Sequence, residues 1–137
     1  MRQAFMVASA ALLLGGCAGY LADNYSSTRF DGYTQADGKP LAIALHRSKP
    51  AFVTQVDAGT AIAQAFSGSA GRDYPDAVHR KAADEMLRRL GAPGCRVTAT
   101  RRIDAITVEH DYSCRDGRTL TADDIASVTE QGVLTRR

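Results

Sequence analysis

Two alternating stretches, each ending in a cysteine, constrain the fold of this 137-residue chain more than any other feature. In CRVTATR, Cys95, Val97 and Ala99 share one face of an extended strand. In ITVEHDYSC, Ile106, Val108, His110 and Tyr112 share a face with Cys114. An antiparallel register that sets Cys95 opposite Cys114 also sets Val97 opposite Tyr112 and Ala99 opposite His110. A Cys95–Cys114 disulfide therefore agrees with the apolar pattern, and the two stretches are expected to be adjacent strands.

A two-stranded ribbon is marginal in water and needs a cover for its apolar face. The segment Tyr74 to Leu90 predicts one. Pro75 suits a first helical turn, Asp73 and Asp76 complement the helix dipole, and Gly91 followed by Pro93 ends the helix. On a helical wheel, Val78, His79, Ala82, Ala83, Met86, Leu87 and Leu90 fill one half. Arg80, Lys81, Asp84, Glu85 and Arg88 fill the other, with Asp84 and Glu85 four residues ahead of Arg88 and Arg89 in the favourable order. That charged half is expected to face solvent.

Upstream, LAIALH places Leu41, Ile43 and Leu45 on one side of a strand, and AFVTQV follows after Arg47-Ser48-Lys49-Pro50, so a hairpin is expected. Thr60 to Phe66 is expected to form a short helix and residues 67–72 a loop. Residues 17–38 are small and polar and are expected to form a flexible tether. Within it, a short strand from Arg29 to Thr34 would turn Phe30 and Tyr33 toward the core. After Cys114, Asp116-Gly117 suits a tight turn, and residues 118–131 fit either a further strand or a helix capped through Thr121 and Asp124. The length suits one core. The expectation is a single α+β domain over residues 39–137, a small antiparallel sheet with one main helix packed on a face.

The N-terminus differs from the rest. Arg2 precedes an uncharged run from Ala4 to Leu14, eleven residues that fit the h-region of a secretory signal and are too short to span a bilayer, which takes about 20. Export would carry Cys95 and Cys114 into an oxidising compartment. Leu14-Gly15-Gly16-Cys17 resembles the lipobox of bacterial lipoproteins. The resemblance covers the first seventeen residues and implies a signal peptide over 1–16, cleavage before Cys17, a diacylglyceryl group on Cys17 and usually a third acyl chain on its amino group. Two or more chains anchor firmly where one holds only reversibly. Ala18, where Asp favours inner-membrane retention in that family, implies delivery to the outer membrane of a Gram-negative cell, periplasmic face. The alternative is an ordinary signal peptide cut after Ala18.

Catalytic patterns are scarce. The chain has three histidines and no HExxH, G-x-S-x-G, Gly-rich phosphate loop or CxxC motif, so no catalytic or cofactor-binding residue and no enzyme activity are expected. His79, His110, Cys95 and Cys114 all project to the core side and include zinc-binding types. Their spacing matches no zinc motif, and hydrogen-bonded core histidines beside a disulfide are the preferred reading, with no metal site. His46 is expected at the surface, ending a strand. Net charge is +2 with basic residues scattered, which gives no nucleic-acid footprint. Arg101 and Arg102 are expected to be solvated, with contact to phosphate groups of envelope lipids as the alternative. The partners expected are the membrane, through the lipid anchor, and an envelope protein. The expected function is a structural or interaction module of the cell envelope; the alternative is a periplasmic ligand-binding lipoprotein.

Overall fold

The computed structural model describes residues 19–25, 30–56, 73–91 and 94–134, with side chains of the last helix as far as Val128. Cys17 and the expected elements at Thr60 to Phe66 and 67–72 lie outside the described residues. The strands are β1 (Gly32–Ala36), β2 (Lys39–Leu45), β3 (Ala51–Val56), β4 (Cys95–Arg102) and β5 (Thr107–Cys114). They form one antiparallel sheet in the order β1-β2-β3-β5-β4. Helix α1 (Asp76–Leu90) connects β3 to β4, and α2 (Ala122–Leu134) follows β5.

Helix α1 buries Val78, His79, Ala82, Ala83, Met86 and Leu87, the half of the wheel expected to face inward. With Ile43, Phe52, Val97 and Tyr112 from the sheet and Ile125 and Val128 from α2, they build the core on one face of the sheet. Thr121 settles the ambiguity after Cys114 in favour of a helix. Its hydroxyl accepts from the Asp124 N–H at 3.3 Å, and the Asp124 carboxylate accepts from the Thr121 N–H at 2.9 Å, a reciprocal cap. Tyr112 fixes the approach to α2, its hydroxyl oxygen accepting the Leu120 N–H at 2.8 Å.

The expected β2–β3 hairpin forms, with Leu45 opposite Phe52. The stretch expected to be a flexible tether is more ordered than its composition suggests. Residues 19–24 are helical, and β1 begins only at Gly32. Asp37 and Gly38, both at positive φ (53° and 75°), make a two-residue turn between Ala36 and Lys39. That turn sets Thr34 and Ala36 inward. Tyr33 falls opposite Ala42 on the other side and is 54% exposed, and Phe30, which precedes β1, is 44% exposed, so neither is in the core.

Cys95 and Cys114 are disulfide-bonded across the β4–β5 pair, and Val97 lies opposite Tyr112, as expected. Further along, the register differs. A bulge between Val97 and Ala99 sets Ala99 opposite Asp111 and Thr100 opposite His110. The extra residue reverses the alternation and so turns a hydroxyl, not a methyl, toward the His110 ring. The bridge closes a loop with a sequence separation of 19, so reduction is expected to lower stability by roughly 3 kcal/mol. Urea titrations with and without reductant measure it. Coincident curves in protein whose thiols are shown to be free would refute it.

Candidate functional site

The face of the sheet opposite the helices presents small residues where β2 and β3 pair, with Ala44 opposite Val53. The segment 19–25 fills that space. Tyr25 is buried against Ala44 and Val53, with Tyr20 and Leu21 packed beside it. The seat is reinforced at the Asn24–Tyr25 end: Arg47 donates its backbone N–H to the Asn24 carbonyl at 2.9 Å, and the Tyr25 ring stands edge-on to His46 with centroids 5.1 Å apart.

At the centre of this outer face is Glu109, whose strand position places it opposite Arg101 and Val53. It is only 3% exposed, yet charged. Its carboxylate accepts from Tyr20 Oη at 2.5 Å, Tyr25 Oη at 2.7 Å, Arg101 Nη2 at 2.9 Å and Lys49 Nζ at 3.4 Å. Burial alone would raise the carboxyl pKa, but the two tyrosines, Arg101 and the charge of Lys49 outweigh it and hold it at about 2. Burial and the same carboxylate push both tyrosine hydroxyls up. All six members of this cluster with Asp111 have their charges matched internally, since Lys49 also reaches Asp111 at 3.6 Å and the Arg101 guanidinium lies 5.1 Å from the Tyr20 ring centroid. The arrangement binds the N-terminal segment; it presents no free base or nucleophile.

A second polar cluster lies inside, on the helical face. Thr54 Oγ1 is 2.8 Å from His79 Nδ1 and 2.9 Å from His110 Nε2, and His110 Nδ1 is 3.2 Å from Thr100 Oγ1. His79 and His110 are fully buried. Burial lowers the pKa of His79 to about 4, with Arg102 adding to it, and that of His110 to about 3, with His79 and Arg80 adding to it. The structure thus brings two of the four candidate metal ligands together through a threonine. The sulfurs of Cys95 and Cys114 are bonded to each other and unavailable as ligands. Among the described residues no group of three His, Cys, Asp or Glu is placed to hold a metal ion.

The other residues singled out in the sequence have structural partners. His46 ends β2, its Nδ1 accepting the N–H groups of Ser48 and Lys49 at 3.0 and 3.2 Å. Arg101 and Arg102 point to opposite faces: Arg101 holds Glu109, while Arg102 bonds Asp76 at 2.6 Å and the Tyr74 carbonyl at 3.1 Å, securing the start of α1. Glu109 itself escaped the sequence reading. A charged residue on the polar side of an alternating strand normally meets water, and its tyrosine partners lie 84 and 89 residues away. The one available signal was the aromatic content of an otherwise small, polar stretch, Tyr20 and Tyr25 among its three tyrosines. In comparisons with protein-family models, curated proteins and solved structures, nothing matches this chain.

Proposed function

We propose that the protein is a small lipid-anchored module of the cell envelope that holds its α+β domain close against the bilayer and acts through contacts made there. Acylation of Cys17 is taken from the lipobox resemblance. The observation that carries the reading beyond it is the docking of Tyr20 and Tyr25 on Glu109. Tyr20 is three residues beyond Cys17, a span of at most about 11 Å. A free chain from Cys17 to β1 at Gly32 would reach roughly 50 Å over 15 residues, so docking converts a loose leash into a close and oriented mount. Two clefts of the described surface, along the charged side of α1 and around Lys49, Arg101, Glu109 and Asp111, are lined mainly by charged residues, which favours a contact module over a small-molecule receptor.

The experiment is acyl labelling of the chain in a Gram-negative host with Cys17→Ser alongside. Parent protein is expected to incorporate labelled fatty acid and fractionate with membranes, and Cys17→Ser to lose the label and leave the membrane fraction. Equal labelling of both would overturn the anchoring. Crosslinked capture from envelope extract then tests the contact: the tethered protein is expected to recover an envelope partner that Cys17→Ser does not.

A further inference from the structure

Most basic side chains of the described surface are neutralised within the fold, and the exceptions are informative. Lys49, Arg80, Lys81, Arg88, Arg89, Arg101, Arg102 and Arg118 each pair with a carboxylate. Four do not: Lys39, which donates to the Asp73 carbonyl, Arg47, and the pair Arg96 and Arg115, which alone of these share a cleft, of about 480 Å³, in which both are exposed. The cleft is completed by Gly94, Ser113 and the disulfide pair, and no carboxylate lines it. Gly94 helps to gather the charge. It adopts φ 76°, and a Cβ there would lie 3.3 Å from Arg115 Cδ, so the bare backbone leaves room for the arginine beside it. Of the acids on the same strands and turn, Asp111 is held by Lys49, while Asp116 accepts the Arg118 backbone N–H at 3.0 Å and forms no ion pair with Arg96 or Arg115. Two guanidiniums sharing one cleft with a serine hydroxyl and no counter-charge repel each other until an anion enters.

The position of the cleft says which anion. Arg96 lies opposite Ser113 on the same strand pair, β4 and β5, that carries Arg101 and Glu109 further along. Both pairs belong to the outer face, where Tyr20 docks. Four residues of β5 separate Glu109 from Ser113, about 14 Å. The mount and the cleft therefore lie on one side of the domain, within a short span of the chain that leads back to Cys17. The geometry points to a phospholipid site: the Arg96–Arg115 cleft takes the phosphate of an anionic headgroup in the bilayer to which the chain is anchored. This deepens the anchoring reading and rests on it for the source of the phosphate. Guanidinium forks suit phosphate oxygens in geometry and charge, and an anionic bilayer surface favours each such residue by about fivefold in affinity.

The test uses the mature chain purified from membranes, with the acyl mass on Cys17 recorded first. It is reconstituted into vesicles of phosphatidylcholine alone or with phosphatidylglycerol, and arginine modification by phenylglyoxal is followed by mass spectrometry. Arg96 and Arg115 are expected to react about fivefold more slowly in the anionic vesicles, while Arg88, on the exposed side of α1, reacts equally in both. In Arg96→Glu, with unchanged melting, Arg115 is expected to lose its sensitivity to phosphatidylglycerol. Equal rates for Arg96 and Arg115 in the two vesicles would overturn the site. Equal protection by inorganic phosphate in phosphatidylcholine vesicles would overturn the lipid assignment in favour of a soluble anion. A chain without acyl mass refutes the anchoring reading; the same chain is then sedimented with the same vesicles, and binding that requires phosphatidylglycerol and Arg96 upholds the cleft, while its absence overturns it.

Discussion

Lowering the pH from about 7 to about 5 is expected to remove about 4 kcal/mol of folding stability, through two histidines that cannot accept protons where they sit. His79 and His110 have no exposed surface and share the single hydroxyl of Thr54. That hydroxyl has one proton. It can donate to one ring while accepting from the other, so two neutral rings satisfy it and two cations would leave its proton without an acceptor. Like charge between the rings and the loss of water both disfavour ionisation. Folded-state values of about 4 and about 3 lie below the ordinary value near 6.5. The unfolded chain therefore binds protons first as the pH falls: the stability is complete above about 6.5 and is lost progressively down to the folded-state values. Against a typical stability of 5–15 kcal/mol, a loss of that size is large. Urea unfolding at a series of pH values, paired with NMR titration of the ring protons, measures it. Rings of His79 and His110 that titrate near 6.5 in the folded protein, with no fall in stability between the two pH values, would refute the account.

The inward placement of these histidines was legible because helical and strand periodicity decides which side of an element a residue occupies. His79 falls with Val78, Ala82 and Met86, and His110 with Val108 and Tyr112. The same reasoning placed Cys95 opposite Cys114 and the β2–β3 hairpin around Arg47 to Pro50. Periodicity fails where one residue is inserted. The bulge at Val97/Ala99 moved Thr100 onto His110, and nothing in CRVTATR marks it, since a bulge without glycine is set by the partner strand. The β1–β2 turn had a local signal, Asp37-Gly38, which was absorbed into a stretch judged by composition alone. The Glu109 site was beyond reach for a different reason. Its partners come from residues 20, 25, 49 and 101, and only the closed sheet with the N-terminal segment laid across it brings them together. Long-range polar clusters depend on topology, and topology follows from the apolar pattern without being written in the polar residues themselves.

Glu109→Ala is expected to destabilise the protein by about 4 kcal/mol, most of it from groups left behind by the substitution. The Tyr25 hydroxyl is buried and would lose its acceptor, and Tyr20 would lose its hydrogen bond to the carboxylate. Lys49 and Arg101, half exposed, can turn to water and contribute less. Glu109→Gln separates charge from hydrogen bonding: its amide oxygen can still accept from one tyrosine, so roughly half the loss is expected. The effect also has its own acid window. Because the folded-state carboxyl stands at about 2, below the ordinary 4.5, Glu109 adds stability above that ordinary value and loses it as the pH falls toward about 2, a window that overlaps the lower end of the histidines' range and extends below it. Amide exchange should place the change. Residues 19–25 are expected to lose protection in Glu109→Ala well before β3 and β5 do, since the core on the helical face is untouched. Stability and exchange like those of the parent would mean that the tyrosines dock without the carboxylate. If instead the segment is released while the sheet stays folded, the domain reverts to a long leash from Cys17. The loss of phosphatidylglycerol-dependent protection at Arg96 and Arg115 should then follow, because the cleft would no longer be held at the bilayer.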